Sequence, residues 1–247
     1  MKLVLLAAGK SSRIFNKINI NKCLIKINKN TLIENLIKDA KQNGVKNIDV
    51  VVGYKSYNIK KQLMGNDNLN FIHNNKYKST DMVYSAMLAL KKSKEDTLIS
   101  YTDIIYDKSI FSRIKKINSQ KILLPYLSEW KKIWKIRKKK IFDDAETFVK
   151  NKKNELIEIG NKLNTRNINS TNGQFAGIIF FPRSRIKDIL KFYFSRKEVK
   201  KIQFTEFLNL LIKNGYLIKV RKYKGFWYEI DDFEDLNNLK NIKYFKR

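Results

Sequence analysis

Leu3 to Leu6 are four consecutive apolar residues, and they run straight into Ala7, Ala8 and Gly9. Lys10, Ser11, Ser12 and Arg13 follow. A buried strand that opens into small residues flanked by two cations constrains the fold more than any other stretch. In open α/β sheets, ligands bind at the carboxyl ends of the strands, and this loop lies at such an end. A chain turning through Gly9 can bring backbone N–H groups close to a phosphate, because no Cβ blocks the approach. Ser11 and Ser12 add hydroxyl donors, and Arg13 adds a planar cation suited to phosphate oxygens. Glycine also serves tight strand-to-helix turns for structural reasons alone. No G-K-[ST] follows at the spacing of a P-loop.

The same alternation continues. Thr31–Asn43 reads as a helix, with Thr31 and Glu34 spaced as a capping box and Gly44 just past its end. Ile48–Val52 reads as a strand, Ser56–Met64 as a short helix and Phe71–His73 as a brief strand. Thr80–Lys92 reads as a helix, and Leu98–Tyr101 as a strand that stops before Asp103. Repeated β–loop–α units predict a doubly wound, mostly parallel sheet flanked by helices.

The second half changes character. Thr147–Val149 and Leu156–Ile159 flank the polar turn Asn151–Asn154 and predict a β-hairpin. Asn161–Asn172 reads as a mobile loop. Gly177–Phe181, Leu217–Lys222 and Phe226–Ile230 read as strands, and Phe204–Asn214 and Asp235–Lys243 as helices. The expectation is one α/β domain over 1–247, with a hairpin and loop inserted at about 145–175.

Composition narrows the chemistry. Hydrophobic residues make up 43% of the 247 residues, enough for a sizeable core. The single cysteine, Cys23, excludes an internal disulfide and fits a reducing, cytoplasmic setting. The single histidine, His73, argues against His-based metal sites and Ser–His–Asp catalysis. The N-terminal apolar run is too short for a signal peptide core or a membrane span. The net charge of +29 is spread along the whole chain, as AT-rich codon usage would produce, and reads as solvated surface. No specific nucleic-acid partner is expected; the positive field would help gather a polyanion such as a nucleoside triphosphate.

Three further stretches carry chemistry. In Asn21–Ile27, Lys22 precedes an apolar segment. Asp103 directly follows a buried strand, where a carboxylate can hold Mg²⁺ against phosphates, and Asp231 follows a second short strand. Each aspartate alone also suits a helix N-cap, as Asp232 does before Phe233. In the run Trp130–Lys140, basic and aromatic residues interleave. That pattern serves RNA or an anionic membrane in some proteins and a helix with a solvated lysine face in more.

The stretches "LAAGKSSRI" and "NKCL" resemble the L-A-A-G-x-G-x-R…P-K-x-L signature of the sugar nucleotidylyltransferase-like superfamily. "NNKYKSTDMVYSAMLAL", "DDAETF", "LIEIGNK", "GQFAGIIFF" and "GFWYEIDDFEDL" are similar to successive blocks of its small-phosphate cytidylyltransferase branch. That branch acts on phosphocholine, 2-aminoethylphosphonate or phosphoglutamine. The resemblance implies a single Rossmann-like, GT-A-type nucleotidyltransferase domain. It implies a CTP-dependent enzyme that joins CMP to a small phosphate or phosphonate, releases pyrophosphate and uses Mg²⁺. Leu6, Ala7, Ala8, Gly9, Lys10, Ser85 and Thr102 would bind the nucleotide. Arg13, Lys22 and Lys162 would neutralise phosphate charge. Asp103 and Asp231 would be metal ligands, and Glu146, Gln174 and Gly177 would line the acceptor side. Such a protein is expected as a monomer or homodimer.

This sequence departs from the family pattern at Ser11, Asn21, Asp81 and Thr102, none of which removes a charged catalytic group. For the acceptor, Trp130, Trp134 and Trp227 suggest an aromatic box for choline, or else core packing. Asp144 and Glu146 suggest an ammonium site. Two other readings remain at this level: a sugar-1-phosphate nucleotidylyltransferase using another NTP, and a basic RNA- or membrane-associated protein on a decayed transferase fold.

Overall fold

The computed structural model describes residues 1–10, 20–115, 120–196, 201–239 and 242. The first strand, β1 (Lys2–Ala7), is buried along nearly its whole length because neighbours flank it on both edges and helices cover both faces. Leu3 and Leu5 point into one core, and Val4 and Leu6 into the other. This is the alternation a two-faced strand imposes.

A tight ribbon of β2 (Lys26–Ile27) and β3 (Asn30–Thr31) leads into α1 (Leu32–Gln42). The Thr31–Glu34 capping box forms as the spacing predicts, and Gly44 adopts a positive φ beyond the helix end. The chain continues through β4 (Ile48–Val52), α2 (Ser56–Gln62), β5 (Leu69–His73), α3 (Met82–Lys92) and β6 (Thr97–Tyr101). Then come β7 (Ile104–Tyr106), α4 (Ser109–Lys115), β8 (Ile122–Leu127), α5 (Trp130–Arg137) and α6 (Ile141–Asp144). The hairpin is β9 (Glu146–Lys150) and β10 (Leu156–Lys162). β11 (Gln174–Phe175), β12 (Ile178–Phe181), α7 (Arg183–Phe194), α8 (Phe204–Lys213), β13 (Ile218–Tyr223), β14 (Trp227–Glu229) and α9 (Phe233–Leu239) complete the described elements.

The main sheet has eight strands in the order β11-β8-β12-β6-β1-β4-β5, with β13 also on β8. β5, β4, β1 and β6 are mutually parallel, so their carboxyl ends share one edge. β12 lies antiparallel between β6 and β8. The expected mostly parallel, mixed α/β sheet is therefore present.

β8 has no counterpart in the sequence reading, because Pro125 interrupts its apolar run. Pro125 falls between the two stretches where β8 registers with β12 and β11, at the break around Gly177. A residue without an N–H is tolerated where the ladder is interrupted. The last helix begins at Phe233, two residues before the expected Asp235, with Asp232 accepting the Asp235 N–H.

Candidate active site

A cavity of about 450 Å³ opens at the shared carboxyl ends of β1 and β6. Leu6, Ala7, Ala8 and Gly9 line one side of it. Among the described residues, nothing lies within 4 Å of a Cβ built on Gly9. Gly53 is different: a Cβ would lie 2.9 Å from the Ala8 carbonyl and 2.8 Å from Tyr77 Cβ. Gly53 thus permits the β4 end to pack against the chain leaving β1. Thr102 donates its hydroxyl to the Leu6 carbonyl at 2.9 Å, tying the end of β6 to the end of β1.

Lys22 sits in a short 3₁₀ turn, Lys22–Leu24, after the buried Asn21. Its Nζ lies 3.1 Å from Asp103 Oδ2 and 3.1 Å from Asp231 Oδ1. The two carboxylates, far apart in sequence, meet because β14 pairs antiparallel with β7. The pairing extends past the strand end, where the Ile230 N–H donates to the Asp103 carbonyl at 2.9 Å. Two carboxylates converging beside a phosphate-sized opening suit a hard cation such as Mg²⁺, which takes one or two carboxylates and fills its other positions with phosphate oxygens and water. Among the described residues, no group of three or more His, Cys, Asp and Glu forms a closed metal site.

Ser85, on α3, also lines the cavity, and its hydroxyl accepts from Asn74 Nδ2 at 3.0 Å. Asn74 is buried and was not singled out in the sequence; its position just beyond β5 is a product of the fold. Asp81 caps α3, accepting the Met82 N–H at 2.7 Å, and faces the same cavity.

Further carboxylates also face the cavity. Asp144, Glu146 and Glu229 line it, together with Gln174, Gly177, Trp134 and Trp227. Burial raises the Glu146 carboxyl above the ordinary range, and Thr205 partly offsets this by a hydrogen bond. Burial also pushes Glu229 up to about 7, with Arg137 pulling the other way. The Gln174 side-chain amide is engaged at both ends: its Oε1 accepts the Glu146 N–H at 3.2 Å and its Nε2 donates to the Glu146 carbonyl at 2.5 Å. Its role in this structure is to hold β9 at the cavity wall.

Trp130 packs in the core and does not line the cavity. Trp134 and Trp227 do line it, but their rings stack on each other at 6.3 Å and are 4% and 5% exposed. The Arg137 guanidinium lies 5.3 Å and 6.0 Å from their centroids, so a cation already occupies the aromatic faces. Arg137 itself is fully buried, which the run of basic residues around it conceals. The lysines of that helix are solvated as expected: Lys131, Lys132 and Lys135 are exposed.

Two other residues expected at the site stand apart. Lys10 is exposed and does not line the cavity. Lys162 pairs with Glu146 across the hairpin but is exposed and likewise outside the lining. Arg13, Ser11 and Ser12 lie outside the described residues. Cys23 is buried, and burial pushes its thiol up to about 12, which fits a core residue and not a nucleophile. His73 ends β5 and contacts Asn75 and Ser56.

Comparisons with known proteins agree with this geometry. The chain is 29% identical to a CTP:phosphoglutamine cytidylyltransferase of Campylobacter jejuni, over 96% of this chain and 98% of that one. The fold is similar to that of the inositol-1-phosphate CTP transferase from T. maritima, at a TM-score of 0.78 and 17% identity, covering 99% of this chain and 93% of that one. It is also similar to that of the CTP:phosphocholine cytidylyltransferase from Streptococcus pneumoniae, at a TM-score of 0.75 and 20% identity, covering 97% of each. The family model described as the MobA-like NTP transferase domain matches residues 3–154, more than half of the chain, and it ends in the turn of the hairpin whose first strand walls the cavity. With the end of β1, both strand-end carboxylates and Lys22 gathered in one cavity, this chain belongs to the MobA-like NTP transferase family.

Proposed function

We propose that this protein transfers CMP from CTP to a small phosphorylated or phosphonate acceptor that carries an ammonium group, releasing pyrophosphate. The observation that carries the reading is the convergence of Lys22, Asp103 and Asp231 in a cavity that Asp144 and Glu146 also line. The choice of CTP is supported by the similar Campylobacter protein, whose name specifies it.

In this reading the loop from Ala7 to Gly9 receives the nucleotide, and Lys22 and Arg13 offset the charge of the triphosphate and of departing pyrophosphate. Asp103 and Asp231 would hold Mg²⁺, which supplies further neutralisation at the phosphates. The nucleophile is an acceptor oxygen. A phosphate monoester has its second pKa near ~6, so it is already ionised at neutral pH. It attacks the α-phosphorus in line; the new P–O bond forms as the bond to pyrophosphate breaks. No side chain has to remove a proton, which suits a chain with a single histidine. Catalysis is positioning and electrostatic stabilisation.

The acceptor end favours a primary ammonium over a quaternary one. Carboxylates of Asp144 and Glu146 can accept N–H bonds from an ammonium, whereas the faces of Trp134 and Trp227 are covered by Arg137. A phosphorylated amino acid and 2-aminoethylphosphonate both fit; phosphocholine fits less well.

The test is pyrophosphate release with Mg²⁺, crossing CTP, UTP, ATP and GTP with phosphoglutamine, 2-aminoethylphosphonate, phosphocholine and glucose 1-phosphate. Release with CTP and an amine-bearing acceptor is expected. Release confined to glucose 1-phosphate would replace this reading with a sugar nucleotidylyltransferase. Phosphocholine as the best acceptor would overturn the ammonium assignment.

A further inference from the structure

Arg137 and Asp235 are both fully buried, and they form a two-pronged ion pair across 98 positions of sequence. Arg137 Nε lies 3.1 Å from Asp235 Oδ1, and its Nη2 lies 3.2 Å from Oδ2. Its remaining nitrogen, Nη1, faces two cavity-lining carboxylates, Glu229 at 3.2 Å and Asp144 at 3.6 Å. Asp235 Oδ2 in turn accepts the backbone N–H of Asp231 at 2.9 Å and that of Asp232 at 3.3 Å. Lys139 also contacts Asp235, at 3.3 Å, and pairs with Asp232.

Part of this arrangement is a helix start. Asp232 accepts the Asp235 N–H at 3.0 Å and Asp235 reaches back to the Asp232 N–H, which is a capping box. Capping explains neither the bond to Asp231 nor the arginine. Bringing a guanidinium and a carboxylate out of water is expensive, and a buried pair of this kind is weak evidence of net stabilisation. What the pair does fix is geometry. The planar fork sets the Asp235 carboxyl in one orientation, and that carboxyl sets the backbone of Asp231, whose own carboxylate meets Asp103 through Lys22.

We infer that Arg137 and Asp235 are a positioning pair that aligns Asp231 with Asp103 for the divalent cation. The inference rests on the reading of Asp103 and Asp231 given above, and it adds two residues that touch neither nucleotide nor acceptor phosphate. Arg137 extends the same scaffold to Asp144 and Glu229, so one buried cation also meets two carboxylates that line the cavity.

The experiment uses Mn²⁺ as the probe, titrated in the presence of CTP without acceptor and followed by the loss of its free EPR signal. D235N keeps the shape but presents an N–H donor where an acceptor is needed; R137K keeps the charge but loses the fork. Both are expected to weaken Mn²⁺ binding by about tenfold or more, the range for residues that orient metal ligands. Turnover should fall in parallel, with KM for CTP unchanged. D232A removes the cap bond but leaves the Asp235–Asp231 bond, and is expected to lower Tm while retaining Mn²⁺ affinity.

Wild-type Mn²⁺ affinity in folded D235N and R137K would overturn the inference, whatever their Tm. So would a loss in D232A as large as that in D235N, since any weakening of the helix start would then suffice. If a single variant does not fold, the double variant R137M/D235L, which leaves neither charge unpaired, carries the same expectation and the same refutation. D103N separates the two levels. If it retains Mn²⁺, the carboxylate site itself is wrong; if it loses Mn²⁺ while D235N and R137K do not, only the positioning role falls.

Discussion

Replacing Lys22 by methionine removes the ammonium that separates Asp103 from Asp231. Each of its two contacts is 3.1 Å. At an effective dielectric constant near 20, a pair of unit charges at that distance attracts by roughly 5 kcal/mol before desolvation is counted. Most of that is offset by the hydration the groups give up. Lys22 is 11% exposed, and the carboxylates 25% and 14%, so the site lies between a surface pair and a buried one. Surface pairs are worth at most about 1 kcal/mol, and breaking a buried one costs about 3–5 kcal/mol. Lys22→Met should therefore lower stability by about 2–3 kcal/mol in EDTA. For a chain of this size that is a fall in Tm of about 5–10 °C. Because the variant leaves two carboxylates facing each other, added Mg²⁺ should restore much of the loss. The wild type, whose carboxylates are already paired, should respond to Mg²⁺ far less unless CTP is present. Thermal melts with and without Mg²⁺ measure both effects. A variant as stable as the wild type, or one indifferent to Mg²⁺, would refute the argument that Lys22 stands where the divalent cation binds.

Gly177 has a φ of +70° and lines the cavity, and a Cβ there would lie 3.1 Å from Ile104 Cδ1 and from Tyr101 Cδ2. Gly177→Ala should cost about 1–2 kcal/mol from backbone strain alone and should reduce kcat/KM for the acceptor more than for CTP, which steady-state kinetics would separate. Thr31→Ala removes the side-chain half of the capping box at α1, the hydroxyl that accepts the Glu34 N–H, and should lower stability to urea by about 1 kcal/mol, with turnover unchanged. The Cys23 thiol, 3% exposed and pushed up to about 12 by burial, should resist a thiol reagent at neutral pH in the native protein and react fully in denaturant. Rapid native-state labelling would show that the segment after Lys22 opens readily.

Local patterns sufficed for the scaffold. The apolar run Leu3–Leu6, the capping pair Thr31 and Glu34, and the strand Ile48–Val52 are visible because burial on both faces and helix capping are short-range demands. That Ala7 to Gly9 reach the cavity was legible for the same reason, since they directly continue β1. Elements broken by an exceptional residue were not: β8 carries Pro125, and the strand survives because the ladder is interrupted beside it on one edge while β13 pairs with it throughout on the other.

The site divides along the same line. That Asp103 and Asp231 each follow a strand is written in the sequence; that they face the same ammonium depends on the antiparallel pairing of β7 with β14. Asn74 opens the block "NNKYKSTDMVYSAMLAL", but that it holds the Ser85 hydroxyl is decided by the fold. Arg137 is the clearest case. Among the cations of Trp130–Lys140 it is the single arginine and shares a helix face with Trp130 and Trp134, yet nothing local supplies the partners that let it be fully buried while its lysine neighbours Lys131, Lys132 and Lys135 are solvated. A buried charge is stable only where opposite charges meet it, and its partners come from α6, β14 and α9. Sequence determines which residues are able to carry charge into the core; only the tertiary fold, by delivering the counter-charges from distant segments, decides which one does.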